Sequence, residues 1–96
     1  MHLRLRPDVD PTDVRDGTVL LDERTGRRWR LNRTGTQVLR GLLIGQDSDR
    51  IADELADRHR IPAHVARHDV TTIVERLRAA SLLEAARGAE PLITRR

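Results

Sequence analysis

The sequence has 96 residues, enough for one small domain with a modest hydrophobic core. It contains no cysteine, which excludes disulfides, thiolate nucleophiles and cysteine-ligated metals. No apolar run approaches the length of a membrane span and no secretory signal precedes the fold, so we expect a cytoplasmic protein without membrane association.

Positive charge is concentrated in one part of the chain. All 18 basic residues are arginine, and the net charge is +3. Residues 24–40 contain six of these arginines and neither Asp nor Glu. This segment favours an anionic partner, either an acidic peptide or nucleic acid. The alternative is a solvated arginine-rich surface without a partner.

Three strands are predicted in the first third of the chain. Residues 2–6 alternate between apolar and polar side chains and predict a short strand. Residues 7–16, with two prolines and several acids, predict a polar loop. Residues 18–22 and 27–31 predict a β-hairpin, whose turn contains Gly26.

The second strand of the hairpin carries Trp29, the only aromatic residue of the chain. Strand alternation places Trp29 and Leu31 on one face together with Arg27, and Arg28 and Arg30 on the other. We expect Trp29 to pack mainly under the helices, with one edge at a groove. No later strand is predicted to cover this one. Unless the first strand pairs with it, its free edge can accept one more strand.

Three helices are predicted after the hairpin. The first begins between Asn32 and Thr34, both good N-cap residues, and ends at Gly45. The second is capped by Asp47 or Ser48 and ends at about residue 59 or 60. The third and longest covers about residues 62–80. We therefore expect one domain over residues 1–85, followed by a flexible tail over residues 86–96.

Motifs for catalysis or metal binding are weak. His64 and His68 have the helical spacing of two metal ligands, but no third ligand is evident, and a polar helix face is the favoured explanation. There is no glycine-rich phosphate loop, and no serine has a recognisable base and orienting group. We expect neither an enzyme nor a bound cofactor or metal.

Several segments in order resemble the PqqD-like family, the recognition elements for ribosomally made and modified peptides. The resemblance covers residues 17–84, and the arginine-rich strand in so short a chain resembles the lasso-peptide branch. The segments that carry it are Val19-Leu20-Leu21-Asp22, Gly26, Trp29-Arg30-Leu31-Asn32, Thr34-Gly35, Ile51-Ala52-Asp53-Glu54-Leu55, Asp69-Val70 and residues 77–83.

The resemblance implies an α+β, winged-helix-like fold, with a three-stranded antiparallel sheet followed by three helices. It implies that the leader of a precursor peptide adds as an antiparallel strand to the second hairpin strand and lies in a cleft toward helix three. A Tyr-x-x-Pro element would be the part of the leader that enters the cleft. The peptide-binding residues would be Arg27, Arg28, Trp29, Arg30, Leu31, Ala66, Asp69, Val70 and Ile73. The further partners would be a separate cysteine leader peptidase and, as a second candidate, the macrolactam-forming cyclase.

A winged-helix DNA-binding protein is the alternative, with the arginine-rich hairpin as its wing. A recognition helix normally carries base-reading Arg, Asn or Gln in its first turns. The first turns of helix three hold one Arg and one Asp, and neither Asn nor Gln. Nucleic acid is therefore not the expected partner.

Overall fold

The computed structural model describes residues 3–85. The elements are β1 (Leu3–Leu5), β2 (Val9–Val14), β3 (Gly17–Asp22), β4 (Arg27–Leu31), α1 (Arg33–Leu43), α2 (Ser48–His59), α3 (Ala63–Ala79) and β5 (Leu83–Ala85). A three-stranded antiparallel sheet has the order β2-β3-β4, and β1 pairs with β5 in a separate two-stranded sheet. The predicted α+β class is confirmed. The tail expected over residues 86–96 lies outside the described residues.

The identity of the first sheet strand was predicted wrongly. β2 lies within residues 7–16, where a loop was expected, and it pairs with β3 from Val9↔Asp22 to Val14↔Gly17. The strand predicted at residues 2–6 corresponds to β1, which pairs with β5 instead. β2 escapes detection because only Val9 is buried and the four residues after it are exposed, so apolar alternation is missing.

The two edges of the three-stranded sheet follow from its hydrogen bonds. The Glu23 amide donates to the Asp8 carbonyl oxygen at 2.9 Å, so the even-numbered positions of β2 face β3. The outward positions are therefore residues 9, 11 and 13. The Val9 amide already donates to the Arg6 carbonyl at 2.9 Å, and Pro11 has no amide hydrogen. The β2 edge thus offers a further strand three carbonyls but only one amide donor, that of Asp13.

The β3–β4 hairpin has the predicted form. The strands pair from Thr18↔Leu31 to Asp22↔Arg27. In the turn, the Asp22 carbonyl accepts the amides of Thr25 and Gly26 at 3.2 and 2.7 Å. Gly26 has φ of 77°, which a residue without a Cβ adopts at little cost.

The helices begin and end close to the predicted positions, because their caps are local. Asn32, one of the two predicted N-caps, accepts the Gly35 amide at 2.8 Å with its side chain. Asp47 accepts the Arg50 amide at 2.8 Å and caps α2. α3 begins after Pro62, which provides no side-chain cap. No described helix is both long and apolar enough to cross a membrane.

The core lies between the inner face of β3 and the three helices. Leu20 of β3, Leu55 of α2 and Leu82 after α3 are completely buried. Burying a leucine side chain stabilises a fold by roughly 1.5–3 kcal/mol. The hydroxyl groups of Thr18 and Thr36 hydrogen bond at 3.0 Å within this layer and join β3 to α1. The sheet and helices therefore form one framework that holds β4 in place.

A buried ion pair ties the segment after β1 to the end of β3. An Arg6 Nη2 atom lies 3.0 Å from Asp22 Oδ2, and Arg6 Nε donates to the Ser81 carbonyl. Burial of the Asp22 carboxylate opposes its charge and would raise its pKa. The Arg24 amide and the Arg6 and Arg24 guanidinium groups outweigh burial, so the pKa of Asp22 lies below its usual value.

Candidate functional site

The outer edge of β4 is open in the described structure, because β4 pairs only with β3. A Cβ atom on Gly17 would collide with the Leu31 carbonyl oxygen, which shows that this carbonyl points toward β3. Backbone groups of alternate residues point to opposite edges of a strand. The N–H and C=O groups of Arg28 and Arg30 therefore point outward, and they are available to a further strand.

A groove lies beside this edge, between the end of β4, the start of α1 and one face of α3. Its volume is about 600 Å³, within the range of ligand-binding clefts. Apolar side chains form much of its wall, and polar and charged side chains stand among them. The lining residues are Asp16, Trp29, Arg30, Leu31, Asn32, Thr34, Gly35, Asp69, Thr72, Ile73, Arg76 and Leu77.

The structure brings together part of the predicted peptide-binding set. The members that line the groove are Trp29, Arg30, Leu31, Asp69 and Ile73. Arg27 and Arg28 are exposed on β4 outside the groove lining. Ala66 and Val70 are 0% and 1% exposed within the core and do not line the groove. Their side chains support α3 from within, because they lie on its core-facing stripe.

Trp29 belongs to both the core and the groove. It is partly buried and packs against the core cluster, while part of its surface lines the groove. The Arg27 guanidinium carbon lies 5.4 Å from the centre of the indole ring, a distance at which cation–π attraction acts. β4 therefore presents one broad amphipathic ring beside its free backbone edge.

The face of α3 that lines the groove includes residues that were not among the predicted peptide-binding residues. Thr72 and Arg76 line the groove together with Asp69 and Ile73. The four positions follow the i, i+3, i+4, i+7 spacing of one helix face. The sequence contains this signal, since a helix that places Asp69 on one face places Thr72, Ile73 and Arg76 on the same face.

Two arginines of β4, Arg28 and Arg30, have no ion-pair partner within the described residues. Arg33 and Arg40 each lie near an aspartate, at 3.6 Å from Asp16 and 3.5 Å from Asp13. Arg28 and Arg30 are exposed and make no ion pair in the part of the chain that the structure describes. Their charge is therefore available to an anionic ligand.

Metal chemistry receives no support from this geometry. Among residues 3–85, no group of three or more His, Asp or Glu side chains could hold a metal ion together. His64 and His68 are both exposed on α3 and lie outside the groove.

Comparisons with known proteins agree with this architecture. One solved structure, lasso peptide synthetase B1 complexed with the leader peptide, is 28% identical, with a TM-score of 0.82 over 88% of this chain and 99% of that one. Another, TbiB1 in complex with the TbiA(beta) leader peptide, is 22% identical, with a TM-score of 0.76 over 86% of this chain and 96% of that one, and shows the shared fold alone. No curated protein sequence matches the chain.

The family match covers the elements that build the site. Coenzyme PQQ synthesis protein D (PqqD) is the family that matches, over residues 17–83, which is more than half of the chain. The matched segment begins at β3 and includes β4 and all three helices. The chain therefore belongs to the PqqD family.

Proposed function

We propose that this protein binds the leader segment of a ribosomally synthesised precursor peptide. The leader adds as an antiparallel strand to the free edge of β4, and some of its side chains enter the groove against α3. The observation that carries this proposal is the open edge, with the outward backbone groups of Arg28 and Arg30, directly beside a partly apolar groove.

The relatives support the same function. The 28% identical structure holds a leader peptide, and the match covers 99% of that chain. That protein is a lasso peptide synthetase B1. We therefore assign this chain to lasso-peptide-type biosynthesis, where it acts as a cytoplasmic binding protein and not as the catalyst.

Energetics require the groove as well as the edge. Arg28 and Arg30 offer two N–H and two C=O groups, and four backbone hydrogen bonds contribute about 2–6 kcal/mol net. Ordering a disordered peptide costs about 2–5 kcal/mol. A nanomolar complex needs about −12 kcal/mol. Apolar burial on Trp29 and Ile73, with arginine attraction, must supply most of the affinity.

The bound leader is then presented to processing enzymes. The candidates are a separate cysteine leader peptidase and the macrolactam-forming cyclase. Binding by strand addition fixes the direction and register of the leader, because every second backbone group must pair with β4. This positions the residues that follow the leader at a defined distance from the protein.

Hydrogen exchange tests the binding mode. The probe is a synthetic copy of the leader peptide held by the 28% identical structure. We expect the amides of Arg28 and Arg30 to gain protection when the peptide is added, while solvent-facing amides of α2 do not change. Changes confined to α2 or to the surface around His64 and His68 would contradict strand addition.

The same protein preparation tests the DNA-binding alternative. A gel-shift assay with nonspecific duplex DNA at low and physiological salt measures the contribution of phosphate contacts. We expect no shift at physiological salt. A tight complex with a steep salt dependence would favour the winged-helix DNA-binding function instead.

A further inference from the structure

The geometry of β4 gives an added strand two chemically different faces. In an antiparallel pair, residues directly opposite each other point to the same face of the sheet. Residues of the added strand opposite Arg28 and Arg30 therefore share the outer face with these arginines. Residues opposite Trp29 and Leu31 share the inner face, which leads to the groove.

The outer face is basic where the new strand would join. On this face Arg28 lies opposite Leu21 and Arg30 lies opposite Val19, both partly buried aliphatic residues of β3. The nearest acid along the same row is Asp10 of β2, opposite Leu21. It is two strands away from Arg28, about 9–10 Å between strand axes. At the open edge of β4, the positive charges of Arg28 and Arg30 are therefore available to negatively charged side chains of the ligand.

The inner face is apolar at the corresponding positions. Trp29 and Leu31 are partly buried, and Ile73 and Leu77 of α3 stand across the groove from β4. Asp69 and Arg76 also line the groove, so a charged side chain could find a partner only where it reached α3. Directly at Trp29 or Leu31 it would lose water against apolar surface, which is costly. Apolar and aromatic side chains suit these positions.

We infer that the segment recognised by β4 is an alternating strand, with acidic residues two positions apart that face Arg28 and Arg30 and with apolar residues between and beside them that face Trp29, Leu31 and Ile73. This inference rests on the proposed function and specifies its substrate class. Sequence selectivity then comes from the period-two pattern of charge and apolarity, and both faces of one edge strand contribute to it.

Charge reversal on β4 should invert the outer-face preference. In Arg28→Glu/Arg30→Glu the backbone edge and the apolar lining of the groove remain, because both side chains are exposed and unpaired within the described residues; only the charge at the Arg30 position of the groove is reversed. We expect affinity for acidic alternating peptides to fall about tenfold or more, since like charges directly opposite each other repel. The matched control is Arg58→Glu/Arg67→Glu, which changes the net charge equally on exposed positions of α2 and α3.

Selection from a random library tests the inference without a known leader. A displayed library of random twelve-residue peptides is selected on the wild-type protein, on the β4 variant and on the control variant. Wild type and control should enrich Asp or Glu at positions i and i+2 with an apolar residue at i+1. The β4 variant should enrich Lys or Arg at i and i+2 with the same apolar residue between them.

The outcomes separate this inference from the proposed function. Enriched peptides that protect the β4 amides but lack the alternation, or whose charge preference is the same for all three proteins, would overturn the inference and leave strand addition intact. Selected peptides that bind without protecting β4, or a library without binders, would overturn strand addition and the inference with it.

Discussion

The two edges of the three-stranded sheet differ in what they can bind. Both β2 and β4 are edge strands with exposed side chains. On β2 the outward Val9 amide is already bonded and Pro11 has none, whereas on β4 the outward groups of Arg28 and Arg30 have no partner strand among residues 3–85. Only β4 borders the groove on α3. An exposed strand becomes a peptide site when free backbone groups and an apolar groove occur together.

Proline placed at the free edge of β4 should have the largest effect on binding. Arg30→Pro removes an outward N–H without loss of a β3–β4 hydrogen bond, so we expect the fold to persist and leader affinity to fall roughly 100-fold or more. Isothermal titration with the synthetic leader measures the loss. Asp13→Pro, at the corresponding outward position of β2, is the control and should bind normally. Equal losses in both variants would mean that the edges are not distinct.

Truncation of Trp29 should lower the stability of the fold. Because the ring is half-buried, Trp29→Ala should destabilise the fold by about 2–3 kcal/mol, less than removal of a fully buried ring. Urea denaturation followed by circular dichroism measures this change. A denaturation midpoint equal to that of the wild type would show that the indole does not support the core.

A charge on the groove face of α3 should weaken binding, and it should also cost some stability because Ile73 packs against the core. Ile73→Glu places a carboxylate among apolar groove residues, and we expect affinity to fall about tenfold. Thr71→Glu adds the same charge at an exposed position of α3 outside the groove and should bind as the wild type does. If both variants bind equally, the ligand does not reach α3.

The smallest effect concerns acid stability at the far end of β3. The pKa of Asp22 is lower in the folded protein than in the unfolded chain, so the folded state binds its proton less readily. Its contribution to stability is present above about pH 4 and is lost as the pH falls through the folded pKa. Asp22→Asn should therefore show a weaker decline in melting temperature between about pH 5 and pH 2. An unchanged acid profile would exclude this carboxylate as its source.

The sequence predicted those features that depend on neighbouring residues. Asn32 and Asp47 cap their helices through bonds three residues away, and the hairpin around Gly26 closes within one turn. These signals are local and can be recognised without tertiary structure. The free edge of β4 was also predicted, because no strand was expected to cover it, and the strand order confirms it.

The wrong predictions concern features that depend on packing between residues distant in sequence. β2 has exposed residues and a proline and becomes a strand because it pairs with β3. Ala66 and Val70 were predicted to lie at the cleft, but the orientation of α3 places their side chains in the core. The same orientation brings Arg76 into the groove. Periodicity identifies the stripes of a helix, but it does not specify which stripe faces which neighbour.

The outward position of Pro11 also bears on self-association. If β4 of one copy paired with β2 of the next, each addition would expose a new β4 edge, and the arrangement would grow into an open filament. Pro11 and the engaged Val9 amide deprive that contact of two amide donors and weaken it. Pairing of β4 with β4 would close after two copies, but it would bring Arg28 and Arg30 of both copies together. The fold thus keeps one edge open to a foreign strand while it disfavours polymerisation of its own.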